Sequence, residues 1–96
     1  MDGFERRTLE INRVSNLVQT SGWEEKSRKV DRETMFVTFQ KDLSALAPAD
    51  RRMEINKFYS LVTVFGWTSS ESSFDNERAI ETLTKTLKIE VGQSTE

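Results

Sequence analysis

Cysteine and histidine are both absent from this 96-residue chain, and the two absences remove much of the familiar chemistry. Without thiols there are no disulfides, no thiolate ligands for zinc and no cysteine nucleophile. Without imidazole there is no Ser-His pair and no histidine metal site. Hydrophobic runs are short, and nothing approaches the roughly 20 apolar residues that a membrane span requires. The first residues, Met-Asp-Gly-Phe-Glu, lack the basic and then apolar order of a secretory signal. An excess of positive charge is missing too: 14 Lys and Arg stand against 16 Asp and Glu, for a net charge of -2. A nucleic-acid binder usually shows the opposite balance, because cations recruit phosphates by releasing counterions. These absences lead us to expect a non-enzymatic, intracellular protein, cytoplasmic or nuclear, with no cofactor, no metal and no membrane segment.

What remains is a hydrophobic fraction of 35% and a charged fraction of 31%, enough for one domain with a small core. So small a core makes a second subunit sharing it a reasonable expectation. The chain also repeats itself. Residues 7–44 align without a gap on residues 51–88, and 13 of the 38 pairs are identical, where chance gives roughly two or three. The identities include Arg7/Arg51, Glu10/Glu54, Asn12/Asn56, Leu17/Leu61, Gly22/Gly66, Trp23/Trp67, Thr38/Thr82 and Lys41/Lys85. A unit with an apolar face that it cannot bury alone is completed by stacking on its copy. We therefore expect a single internally duplicated domain over 1–91, with a disordered tail at 92–96.

The period of the shared apolar positions predicts the elements. Ile11, Val14 and Val18, matched by Ile55, Phe58 and Val62, follow i, i+3, i+7, which is the stripe of an amphipathic helix. Phe36, Phe39 and Leu43, matched by Ile80, Leu83 and Leu87, keep the same spacing. Asp2 and Glu5 suit the start of the first helix. Pro48 or Asp50 suits the start of the third, and Asp31 and Asp75 suit caps of the second and fourth. Val30 and Phe74, packed on Met35 and Ala79, complete hydrophobic staples. Gly22 and Gly66 suit helix stops, each followed by a Trp that packs back on the last turn. The expected fold class is all-α: four helices near 3–20, 32–46, 50–65 and 76–89, from two tandem 44-residue helix-hairpin repeats with loops of about eight residues. The alternative is a duplicated α+β unit, because Thr34 to Phe39 is rich in β-branched and aromatic residues and Thr82 to Val91 alternates.

Candidate contact residues are few. Trp23 and Trp67 suit either a twin anchor for a partner or a plug at each helix end, and preservation in both copies favours the plug. Arg7, Arg51 and Arg52 place charge on the first helix of each copy, where a phosphate or an acidic partner could meet them. Glu10 and Glu54 suit surface ion pairs with neighbouring Arg and Lys. Thr68 and Ser72, each three residues before an acid, suit acid-directed phosphorylation. The stretch from Asp50, Arg51 and Arg52 through Gly66, Trp67, Ser72 and Arg78 faintly resembles a small class of single-stranded nucleic-acid-binding domain. Asn56 stands where the defining His of that class belongs, so no family is assigned. The expected function is a protein-protein interaction module or small regulatory adaptor, binding a protein partner or a second copy of itself. Nucleic-acid binding through the paired Arg-bearing helices is the alternative.

Overall fold

The computed structural model describes residues 3–88. The tail at 92–96, the cap at Asp2 and the end of the strand considered over 82–91 lie outside the described residues. Two helices and four strands follow in the order helix, strand, strand, taken twice: α1 (Gly3–Gln19), β1 (Glu24–Asp31), β2 (Thr34–Asp42), α2 (Pro48–Val64), β3 (Thr68–Asp75) and β4 (Arg78–Thr86). The fold is therefore α+β, not an all-α four-helix arrangement or helical bundle. The first and third predicted helices stand; the second and fourth are β2 and β4, the inner arms of two β-hairpins.

The misleading signal was the i, i+3, i+7 spacing of Phe36, Phe39 and Leu43. In β2 the buried residues are Met35, Val37 and Phe39, a strict alternation. Phe36 lies on the opposite face and Leu43 lies beyond the strand, so the helical spacing joined residues from different surfaces. β4 alternates in the same way through Ala79, Glu81 and Leu83. The predicted eight-residue loops are β1 and β3. Each is an edge strand, paired on one side only and largely exposed, so no apolar periodicity marks it in the sequence. Asp31 and Asp75 end these strands rather than cap helices, and Val30 and Phe74 pair across the hairpins with Met35 and Ala79. The turns use positive φ at Arg32 (57°), Asn76 (51°) and Glu77 (68°), which suits two-residue hairpin connections.

All four strands form one antiparallel sheet in the order β1-β2-β4-β3. Its centre joins the two copies, since β2 comes from the first and β4 from the second. Thr38 faces Thr82 in the register, and the two hydroxyls share a hydrogen bond of 3.0 Å. They are equivalent positions of the repeats, so an approximate twofold axis passes between them. Both helices cover one face, where Ile11, Val14, Val18, Phe58 and Val62 meet Met35, Val37, Phe39, Ala79 and Leu83 in one core. The alternate residues Thr34, Phe36, Thr38 and Gln40 face away from the helices and are half-buried. No helix among the described residues is long and apolar enough to cross a membrane.

Each helix ends as its glycine demands. Gly22 and Gly66 take φ of 87° and 84°, values that a side chain strains to reach. The Trp23 amide donates to the Val18 carbonyl and the Gly22 amide to the Gln19 carbonyl, with Trp67 to Val62 and Gly66 to Thr63 repeating the pattern. This is the Schellman closure, completed by the apolar contact that follows it. Pro48 opens α2 in the first turn, behind Ala47 as the cap, where its missing N–H costs nothing.

Candidate functional site

Among the sequence-predicted residues, Trp23 and Trp67 are each only 1% exposed. They close the ends of the core, and the Trp23 ring lies 4.2 Å from that of Phe58. Arg7 spends its guanidinium on the backbone, donating from Nε and Nη2 to the Leu87 carbonyl at 3.0 and 2.9 Å. Arg51 also donates to the backbone, from Nε to the Leu46 carbonyl at 2.8 Å, three residues beyond Leu43, the counterpart of Leu87. Both tie down the chain as it leaves a central strand. Arg52 is exposed and stays at the surface. The paired arginines thus act as clamps, which leaves little for phosphate recognition by Arg7 and Arg51.

Glu10 and Glu54 have partners that the sequence did not suggest. The Lys85 ammonium in β4 donates to Glu10 at 2.7 Å and to the Phe65 carbonyl at 2.6 Å. Lys41 in β2 donates to Glu54 at 2.7 Å and to the Ser21 carbonyl at 2.5 Å. Each lysine thereby caps the C-terminus of its own repeat's helix, where a cation is favoured, and grips the other repeat's helix by its carboxylate. The Lys85 hydrogen bond holds the Glu10 carboxyl below its ordinary value, with lesser help from Arg13 and against some desolvation. Arg13 also meets Glu10, at 3.3 Å, as a same-helix pair.

With Glu10 and Glu54 drawn inward, the helices expose apolar residues and cations together with Glu5 and Asp50. Between them lies a hollow of about 540 Å³ lined by Leu17, Ser21, Asn56, Lys57, Ser60, Leu61, Val64 and Phe65. Val64 is 79% exposed, and the Arg13 guanidinium stands 5.2 Å from the centre of the Phe65 ring, within cation–π range. A second hollow of about 390 Å³ lies between α2 and β3, lined by Pro48, Arg51, Arg52, Ile55, Asn56 and Phe74. Neither was legible as a site in the sequence. The available signal was Leu17/Leu61, preserved beside the core stripe rather than on it.

One buried polar group was missed altogether. Glu81 is 0% exposed, and its two carboxylate oxygens accept from the Tyr59 and Ser72 hydroxyls at 2.5 Å each. Burial, and then the Glu81 carboxylate, push the Tyr59 phenol above its ordinary value, so it stays a donor. An acid or base must reach its substrate's proton, and this carboxylate, sealed beneath the sheet edge, is suited to holding β3 against α2. No protein family matches this chain, and neither a curated protein nor a solved structure does. Among the described residues no cluster of three or more acids could hold a metal ion.

Proposed function

We propose that this chain is a non-catalytic, intracellular protein-docking module that presents the outer surface of its helix pair to a partner. The observation that carries this is the hollow between the helices, where Leu17, Leu61, Val64 and Phe65 leave apolar surface in water at the seam between the repeats. Burying apolar area of this kind is the main source of affinity in protein association, and a central apolar patch with a polar rim is the usual anatomy of such a contact. The rim here is Ser21, Asn56, Lys57 and Ser60. The absence of thiol and imidazole and the sealed position of Glu81 support a binding role over a catalytic one.

Val64→Glu tests it, because a side chain this exposed can be replaced without disturbing the core. Affinity capture from native host cells should recover a protein with the wild type that V64E loses, while circular dichroism stays unchanged. If light scattering shows a wild-type dimer and a V64E monomer, the partner is a second copy. Equal recovery by both proteins, with no change in oligomeric state, overturns the proposal.

A further inference from the structure

Both helices lie on one face of the sheet, and no element among the described residues covers the other. Alternate residues of β2 from Thr34 to Gln40 point to that open face, and opposite them β4 sets three threonines and Ile80. None of these eight central positions is charged, although 31% of the chain is. The hydroxyls of Thr34 and Thr86 lie 3.3 Å apart and those of Thr38 and Thr82 3.0 Å apart. These threonines therefore satisfy one another within the sheet and leave their methyls, with Phe36 and Ile80, for a partner. An uncharged centre inside a charged rim is the anatomy of a protein contact.

The rim indicates the partner. Lys29 of β1 lies beside Phe36 in the register and shares its face; Glu71 of β3 lies beside Thr82 and shares it too. Both are exposed, and neither has an ion pair among the described residues. One edge of the face thus offers a cation and the other an anion, so a partner with the same two edges in reverse order matches both. We infer that a second copy of this chain packs on the open face, sheet against sheet, about a twofold axis parallel to the strands. That axis lays β1 of one copy over β3 of the other. With the copies centred on the Thr38–Thr82 pair, Glu71 meets Ser27, which is level with Thr38, and Lys26 and Lys29 flank it. Glu24 and Asp31, at the ends of the same row, fall over Ser73 and beyond Thr68, away from any acid. An axis across the strands would instead set Glu71 against its own copy.

Such an isologous pair is the commonest form of association, and aligned sheets interdigitate their side chains at about 30°. With strands about 4.8 Å apart and about 3.3 Å per residue, four strands of about eight residues present roughly 500 Å² per copy. The pair then buries about 1,000 Å², the lower end for a specific interface, which points to micromolar association. This surface is independent of the helix-side surface proposed above.

Sedimentation of the full chain tests the inference. At about 100 µM the wild type should run as a dimer. F36K with I80K should be a monomer with an unchanged circular dichroism spectrum, whereas V64E, on the helix side, should stay a dimer. K29E should weaken the dimer several-fold, and K29E with E71K should restore it, because the exchange rebuilds both pairs across the axis. A monomeric wild type overturns the inference, as does a dimer that V64E dissociates and F36K with I80K does not. An exchange variant no tighter than K29E overturns the orientation of the pair.

Discussion

The first repeat is closed where the second is open. Ile11 is 0% exposed, whereas Ile55, its equivalent, is half-buried at the wall of a hollow. Arg28 in β1 donates to Asn12 on α1 at 2.8 Å and to Glu25 at 2.6 Å, bracing the edge strand against the helix. The equivalents in the second repeat are Ser72 and Asn56, and there Asn56 is exposed and Phe74 is 56% exposed. Val37 in the first core becomes Glu81 in the second, with Tyr59 and Ser72 arranged around it. Residues kept identical therefore build the symmetric scaffold: the glycine stops, the tryptophan plugs, the lysine latches, the arginine clamps and the threonine pair on the axis. Residues that differ gather along α2 and β3. Divergence has opened the flank between α2 and β3, and the closed copy shows what that flank would look like without it.

The comparison breaks most severely at the tryptophans. Trp23→Ala and Trp67→Ala each remove a fully buried indole, for a loss of about 3–5 kcal/mol. The two should not be equal. Trp23 also packs at 4.2 Å on Phe58, and the residue of the first repeat that corresponds to Phe58 is the smaller Val14, so W23A should lie at the upper end. Urea unfolding measures both, and a larger loss for W67A would contradict the account of how the ends are sealed.

The latches come next. Lys41→Met and Lys85→Met each remove a part-buried carboxylate's 2.7 Å partner and bare a helix-end carbonyl, at a cost of about 1–3 kcal/mol; Arg13 stays beside Glu10, so Lys85→Met should cost the less. Acid provides a second readout. Glu10 titrates below its ordinary value of 4.5 when folded, so its contribution is complete above that value and is lost as pH falls through the folded one. Lys85→Met should flatten this acid limb of the stability curve; an unchanged limb would remove Glu10 from the latch.

These latches also show how far the sequence could be read. Glu10, Glu54, Lys41 and Lys85 stood out as preserved pairs, and so did both helices, the glycine stops and the tryptophan plugs, because helix periodicity and caps are local signals. The partnership of Glu10 with Lys85 spans 75 positions and depends on β4 lying beside β2, which no local pattern states. The sheet was legible only as the alternative, a duplicated α+β unit, from the β-branched run Thr34 to Phe39 and the alternation beginning at Thr82. Its central strands carry Phe36 and Ile80 on the face away from the core, which masks the period of two, and its edge strands are polar but for Val30 and Phe74. Glu81 would have stood out once the alternation was known, as a charge where Val37 marks a core position. The hollow between the helices needed the most, because it depends on the side-by-side placement of two elements far apart in the sequence.

The smallest expected effect is the sharpest test of the closed-versus-open contrast. Arg28→Ser writes the second repeat's residue into the first. Arg28 and Glu25 are partly exposed, with side-chain exposures of 36% and 19%, so losing their contacts costs about 0.5–1 kcal/mol. The Arg28 hydrogen bond holds the Glu25 carboxyl below its ordinary value of 4.5; its stabilisation is present above that pH and disappears as pH falls through the folded value. The gap between wild type and R28S should therefore narrow in acid. Without its brace, β1 should behave as β3 does, with faster amide exchange along Glu24–Asp31 and little change in α1. Equal protection of β1 in R28S and wild type would mean that Arg28 does not keep the first repeat shut. The opening beside α2 would then come from the bulk of Phe74 rather than from the loss of a clamp.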